Sequence, residues 1–288
     1  MRTPAVLAII VVSGLLMATP ALADENYFGY SYGAETLPKG KSEAYLWLTS
    51  RVGKGVGSYQ AWDNFNEFEY GFTDRFQASL YLNTSGHRIK GNPDLENNSS
   101  FGFEGVRTSF KYGVLSPFTH SVGLALYVEP EYSRRDKISG EAFTEFAIES
   151  KLILQKNFRD DTIVSAVNLT YEHEWEKEGE EEGTAAEKDE FEREAAIEFT
   201  AGLNYRFRPK WFLGVEARRH SEYPDADLGN EEHAAYFLGP VLHYGSQRWW
   251  FTATVFPQIY GTPHVNSIRL HLDEHERIET RFKVGFNF

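Results

Sequence analysis

Residues 191–207 read FEREAAIEFTAGLNYRF. Ala195, Ile197, Phe199, Ala201, Leu203, Tyr205 and Phe207 occupy alternate positions. Glu194, Glu198, Thr200, Gly202, Asn204 and Arg206 stand between them. A period of two puts the sets on opposite faces of a β-strand; a helix needs a period near 3.6. The pattern returns around Leu124, Leu126 and Val128, which alternate with Ala125, Tyr127, Glu129 and Glu131. It returns again at the end of the chain. There Ile278, Thr280, Phe282, Val284, Phe286 and Phe288 alternate with Arg277, Glu279, Arg281, Lys283, Gly285 and Asn287.

About twelve such segments are expected, with ten to fourteen as the range, each close to or above the ~9–11 residues of a membrane-crossing strand. They fall at 42–54, 59–72, 75–83, 101–112, 122–133, 142–157, 162–174, 191–207, 211–220, 234–245, 248–258 and 276–288. The links between them alternate in length. Gly71–Asp74, Leu115–Phe118, Phe158–Asp161, Arg208–Lys210 and Gly245–Arg248 are short. Ser85–Ser100, Arg134–Glu141, Glu174–Glu190, Ser221–His233 and Tyr260–His275 are mostly longer and polar. Short turns at one end and long loops at the other are the habit of a transmembrane barrel. An even strand count puts both termini on the short-turn side. Phe72, Phe76, Phe207, Trp211, Phe212, Trp249 and Trp250 flank the short turns. That placement predicts an interfacial aromatic belt rather than the core of a soluble sandwich.

Composition agrees. The chain has 288 residues, 41% hydrophobic, 25% charged and 15% aromatic, so a disordered chain is excluded. With no cysteine there are no disulfides, thiolate metal sites or lipidated N-terminal cysteine. A net charge of −13 argues against a nucleic-acid partner. Ala5–Met17 is an apolar run behind Arg2, and Ala21-Leu22-Ala23 is a cleavage-type site. Residues 1–23 therefore read as a signal peptide, residues 24–41 as a short periplasmic segment, and residues 42–288 as one all-β domain. That domain is a transmembrane, antiparallel, up-and-down β-barrel. In lipid every backbone N–H and C=O needs an internal partner, and an exported chain of strands meets that need only by closing.

Two stretches resemble known families. Arg281-Phe282-Lys283-Val284-Gly285-Phe286-Asn287-Phe288 resembles the terminal signal of Gram-negative outer-membrane barrels. The resemblance implies recognition of Phe288 by the barrel-assembly machinery and a home among outer-membrane lipid and lipopolysaccharide. Tyr70-Gly71-Phe72-Thr73-Asp74-Arg75-Phe76 is similar to a strand-turn-strand element of the outer-membrane channels associated with meta-pathway phenol degradation. No substrate is carried over from it.

If the apolar faces meet lipid, the polar faces line a lumen. Glu129, Glu131, Glu145, Glu149, Glu172, Glu194 and Glu198 are expected on one acidic wall. Arg75, Arg107, Lys111, Arg277, Arg281 and Lys283 are expected on a facing basic wall, with Glu67, Glu69, Glu279, Lys151 and Arg206 as exceptions. Such walls would set a transverse field and tune ion selectivity. The alternative is that the charges pair and plug the barrel. Glu178, Glu180, Glu181, Glu182, Glu187, Asp189 and Glu190 make an acidic loop, read as solvated.

The best reading is passive passage of small polar or charged solutes, with no cofactor and no metal. A lipid or acyl hydrolase and a non-conducting adhesive barrel are the alternatives. The hydrolase needs a serine beside a histidine. His220-Ser221 are adjacent on a strand and so point apart, and His120-Ser121 fall in a short turn. His271 and His275 are four apart, a spacing that shares a face only on a helix. No catalytic residue is assigned, and the sequence does not decide between monomer and oligomer.

Overall fold

The computed structural model describes residues 26–178, 191–264 and 268–288. The expected signal peptide, and the acidic loop from Glu180 to Glu190, lie outside the described residues. Twelve strands follow in order. They are β1 (Ser42–Val52), β2 (Ser58–Thr73), β3 (Phe76–Lys90), β4 (Asn98–Leu115), β5 (Gly123–Arg135) and β6 (Ala142–Phe158). Then come β7 (Ile163–Glu178), β8 (Glu192–Arg208), β9 (Trp211–Pro224), β10 (His233–Gly245), β11 (Trp249–Thr262) and β12 (Ile278–Asn287). Each strand pairs antiparallel with its sequence neighbours, and β1 closes on β12. The seam runs from Glu43 opposite Asn287 to Val52 opposite Ile278. Among the described residues no strand edge is left unpaired, which is the condition for sitting in hydrocarbon.

The alternation sorts side chains as the sequence predicts. Leu80, Leu126, Leu152, Leu203, Val215 and Phe282 are exposed on the outer face, where a soluble protein would not keep them. Their neighbours Ser79, Ala125, Lys151, Asn204, Glu216 and Lys283 are buried inside. The barrel therefore has the outer surface of a membrane-spanning protein. Several strands continue past the end of the apolar alternation. β3 reaches Lys90, β7 Glu178 and β9 Pro224. Backbone pairing continues into water after the lipid-facing pattern has ceased, so hydrophobicity alone underestimates strand length at the long-loop end.

The aromatic belt is corrected at two positions. Phe72, Phe207 and Trp249 are exposed beside the short turns. Phe212 and Trp250 are buried inside. Trp249 and Trp250 are neighbours on one strand, so one faces lipid and the other the lumen. Trp250 donates its indole N–H to the Glu43 carboxylate.

Candidate functional site

The lumen has two unlike halves. The short-turn half is filled by the chain's own N-terminal segment. Residues 24–41 are expected as a short periplasmic segment; of its described part, residues 26–37 pack inside the barrel and 38–41 lead on to β1. Phe28 packs on Val164, Ala166, Phe212 and Val241. Tyr30 packs on Ala235, Phe237 and Phe256, and Ala34 on Ala125, Tyr127 and Ile153. Gly202 faces the Phe28 ring at a distance that leaves no room for a Cβ.

The segment is not a strand of the barrel, so its backbone needs other partners. Inward polar side chains supply them. The Glu216 carboxylate accepts from the N–H groups of Gly29 (3.0 Å), Tyr30 (2.8 Å) and Ser31 (2.5 Å). Asn168 accepts from Tyr32 N–H at 2.6 Å and donates to Tyr32 C=O at 3.0 Å. Gln155 accepts from Ala34 N–H at 2.7 Å, and Gln77 from Leu37 N–H at 2.6 Å. Asn204 donates to Tyr27 C=O at 2.6 Å. Irregular backbone at membrane depth is tolerated only when satisfied by protein in this way.

Above this floor lies a cavity of about 450 Å³. Tyr30 and Tyr32 form part of its base, and Asp136, Lys137, Glu274 and Glu276 come from the long-loop side. Its lining holds seventeen Asp and Glu against seven Lys and Arg. Carboxylates come from β2, β4 through β9 and β12. Some are paired. Arg51 bonds Asp63 at 2.9 Å and Glu276 at 2.8 Å, and Lys54 lies 3.9 Å from Glu276. Arg218 bonds Glu279 at 2.7 Å and lies 3.5 Å from Glu198. Others crowd together: Glu145, Glu174 and Glu176 bring carboxylate oxygens within 4.8 Å of one another. Burial alone would raise the Glu276 carboxyl; the Arg51 guanidinium and the Lys54 ammonium outweigh it and hold it down at about 2.

All seven residues expected on the acidic wall, Glu129, Glu131, Glu145, Glu149, Glu172, Glu194 and Glu198, line this one cavity. Of the six expected on the basic wall, Arg107 and Arg281 line it. Arg107 does not face the acidic wall. It sits across the β4–β5 ladder from Glu131 and bonds it at 2.6 Å, with Glu129 at 3.3 Å. Arg281 is turned to the N-terminal segment, donating to Gly29 C=O at 3.3 Å and lying 3.9 Å from the Tyr30 ring centre. Lys283 is fully buried with its ammonium 3.8 Å from the Trp47 ring centre, and Lys111 is buried too. Arg75 and Arg277 are corrections. Arg75 lies in the exposed turn between β2 and β3, and Arg277 in the loop before β12, also exposed. The alternation that places a residue inside stops where the strand stops. In place of two facing walls, acid surrounds the vestibule, Arg51, Arg107, Lys151 and Arg218 pair with carboxylates, and Arg281 lies against the Tyr30 ring.

Sequence reasoning missed the residues that hold the N-terminal segment. Gln77, Gln155, Asn168 and Asn204 are uncharged inward-facing residues, and the alternation that places them inside carries no sign of a chain for them to hold. His220 and Ser221 point apart, as expected. His220 faces Glu198 and Glu222, while the Ser221 hydroxyl donates to Ile197 C=O at 3.0 Å. They form no catalytic pair.

Among solved structures, the chain is similar to the COG4313 outer membrane channel from Pseudomonas putida F1. The TM-score is 0.60 at 12% identity, over 88% of this chain and 98% of that one. A NanC porin matches with TM-score 0.48 and 12% identity, over 84% of this chain and 98% of the other. LpxR from Salmonella typhimurium matches with TM-score 0.45 and 8% identity, over 85% and 99%. At these identities the likeness to the COG4313 channel is one of fold alone. No curated protein matches the sequence. A family model does match, over residues 20–288, and the chain belongs to that family, a family of unknown function (DUF6662).

Proposed function

We propose that the protein is a passive outer-membrane channel of a Gram-negative cell whose vestibule favours small cationic solutes. One observation carries this reading: the cavity of about 450 Å³ is ringed by seventeen carboxylates against seven Lys and Arg. In a cleft with low-dielectric walls such an excess concentrates cations and repels anions. The apolar outer face and the closed barrel support the membrane setting. Phe288 is exposed, with its backbone N–H donated to Ser42 C=O at 2.9 Å, so its side chain is available to assembly machinery. Export through a cleaved signal peptide and contact with lipopolysaccharide belong to the same reading.

The test is reconstitution into planar bilayers with a salt gradient across the membrane. Discrete current steps with a cation-selective reversal potential are expected. An anion-selective or unselective pore would overturn the role of the vestibule. Silence from a correctly folded barrel would overturn the channel itself.

A further inference from the structure

Among the described residues, the cations of the vestibule engage only some of its carboxylates. Arg51 pairs with Asp63 and Glu276, Arg107 with Glu129 and Glu131, Lys151 with Glu149, and Arg218 with Glu198 and Glu279. Glu104, Glu145, Glu174 and Glu176 line the same cavity and form no ion pair with a described residue. These four share one level of the barrel. Gly105, the neighbour of Glu104, is opposite Ser133; Ser133 is opposite Glu145, and Glu145 is opposite Glu176. The oxygens of Glu145, Glu174 and Glu176 lie within 4.8 Å of one another. Glu104 stands on β4, two strands from Glu145, which is roughly 10 Å across the sheet.

A β-bulge aims Glu104 inward. Asn83 on β3 is opposite Gly105 and Thr84 is opposite Phe103, so Glu104 is an extra residue in β4. Bulges re-aim side chains in this way. Glu104 and Gly105 are consecutive yet both buried, while Phe103 is exposed outside. Glu104 is only 4% exposed, and its Oε2 has no hydrogen-bond partner among the described residues. On β3 the Asn83 amide and the Ser85 hydroxyl flank it, buried and equally without partners. Buried polar atoms are paired as a rule, so this group calls for a hydrogen-bond donor from outside the chain.

A primary ammonium brings three N–H donors and no acceptor, which suits the oxygens of Glu104, Asn83 and Ser85. A metal ion does not suit them: Glu104 belongs to no described group of three carboxylate or histidine donors within 4.8 Å. A quaternary ammonium does not suit them either, because it has no N–H and is held by open aromatic faces. The rings about the cavity floor already carry the chain's own cations. Arg281 lies 3.9 Å from the Tyr30 ring centre, Lys151 4.8 Å from Tyr32, Lys283 3.8 Å from Trp47 and Arg107 4.5 Å from Phe65. We propose that the vestibule binds a linear aliphatic oligoamine, with one terminal ammonium at Glu104 and another at Glu145, Glu174 and Glu176. Three- and four-carbon spacers carry ammonium groups across such a gap, and a cavity of about 450 Å³ admits the chain. An oligoamine site deepens the cation-selective reading of the vestibule and rests on it, yet its occupancy does not need an open pore.

The test is calorimetric titration of spermidine, a linear triamine, into the full, detergent-solubilised barrel at low salt. One saturable site per chain is expected, about tenfold or more tighter than for butylamine, bis-quaternary hexamethonium or calcium chloride. Glu104→Gln should weaken it by about tenfold or more, and Glu145→Gln/Glu174→Gln, on two other strands, should do the same. Glu274→Gln removes one charge from the long-loop side of the same lining and should weaken binding by less than about threefold. Heat-modifiable gel mobility reports folding of each variant. If Glu104→Gln fails to fold, the Glu145→Gln/Glu174→Gln variant and the hexamethonium comparison carry the test. Hexamethonium or calcium binding as tightly as spermidine would overturn the proposal. So would equal losses in Glu104→Gln and Glu274→Gln, and so would the lack of any saturable site. Cation-selective current without a saturable site would remove the oligoamine and leave the channel standing; a saturable site in a silent barrel would do the reverse.

Discussion

On the short-turn side the lumen is narrowed by packed chain: aromatic rings of the N-terminal segment pack on small and apolar inward residues, and amides hold its backbone. On the long-loop side the same twelve strands enclose a charged cavity. The cylinder is the same, so its interior is decided by which residues occupy the inward positions. Ala125, Ile153, Val164, Ala166 and Val241 point inward low in the barrel. Glu131, Glu145, Glu174, Glu194 and Glu222 point inward higher up. The lower set makes a core and the upper set makes a vestibule. A twelve-stranded barrel is too wide for its own side chains to fill with ease. Here an extra piece of chain packs against the wall of the short-turn half.

Removing residues 24–37 should break the contrast most. Single-channel conductance should rise several-fold over the full chain, because the packing that narrows the short-turn half would be gone. Conductance equal to that of the full chain would show that the segment does not limit passage. Next comes the packing of the floor. Phe28→Ala removes a buried ring and should cost about 3–5 kcal/mol in urea unfolding measured in lipid vesicles. Glu216→Ala should cost less, about 3 kcal/mol, by leaving three buried N–H groups without their acceptor. A null effect there would mean that packing alone seats the segment.

The smallest effect is expected at the vestibule rim and depends on pH. The Glu276 carboxyl stands at about 2, below its ordinary 4.5. A depressed carboxyl stabilises the folded state above its unfolded pKa, and that contribution fades as pH falls through the folded value. Glu276→Gln should therefore destabilise the barrel at pH 7. The gap from the unsubstituted chain should narrow below about pH 4.5 and close near pH 2. A gap that stays constant across this range would mean that Glu276 acts by shape and not by charge.

Much of this was legible in the chain. The twelve strands, their order and the inward place of Glu129, Glu131 and Glu198 follow from a period of two, which is a local property. Other features were not. Arg75 and Arg277 belong to the alternation on paper, but the ladder ends beside them. In Asn26–Leu37 the residues Phe28, Tyr30, Tyr32 and Ala34 alternate with Gly29, Ser31, Gly33 and Glu35, yet its backbone bonds to side chains and not to a neighbouring strand. His271 and His275 were set apart by the expectation of an extended loop. A turn at 272–274 brings their rings to 5.9 Å, and His233 reaches both from another strand.

By itself the sequence determined that this is a closed, lipid-facing barrel with a charged interior. Alternation along each strand and the need to satisfy every backbone group in hydrocarbon leave no other route. Only the tertiary structure decided what fills the barrel and which charges meet. Those outcomes depend on closure of β1 on β12, on strand-to-strand register and on a segment that crosses the lumen. Closure and the crossing segment join residues more than a hundred positions apart, such as Glu43 with Asn287 and Gly29 with Glu216. No periodicity within a single strand carries that information.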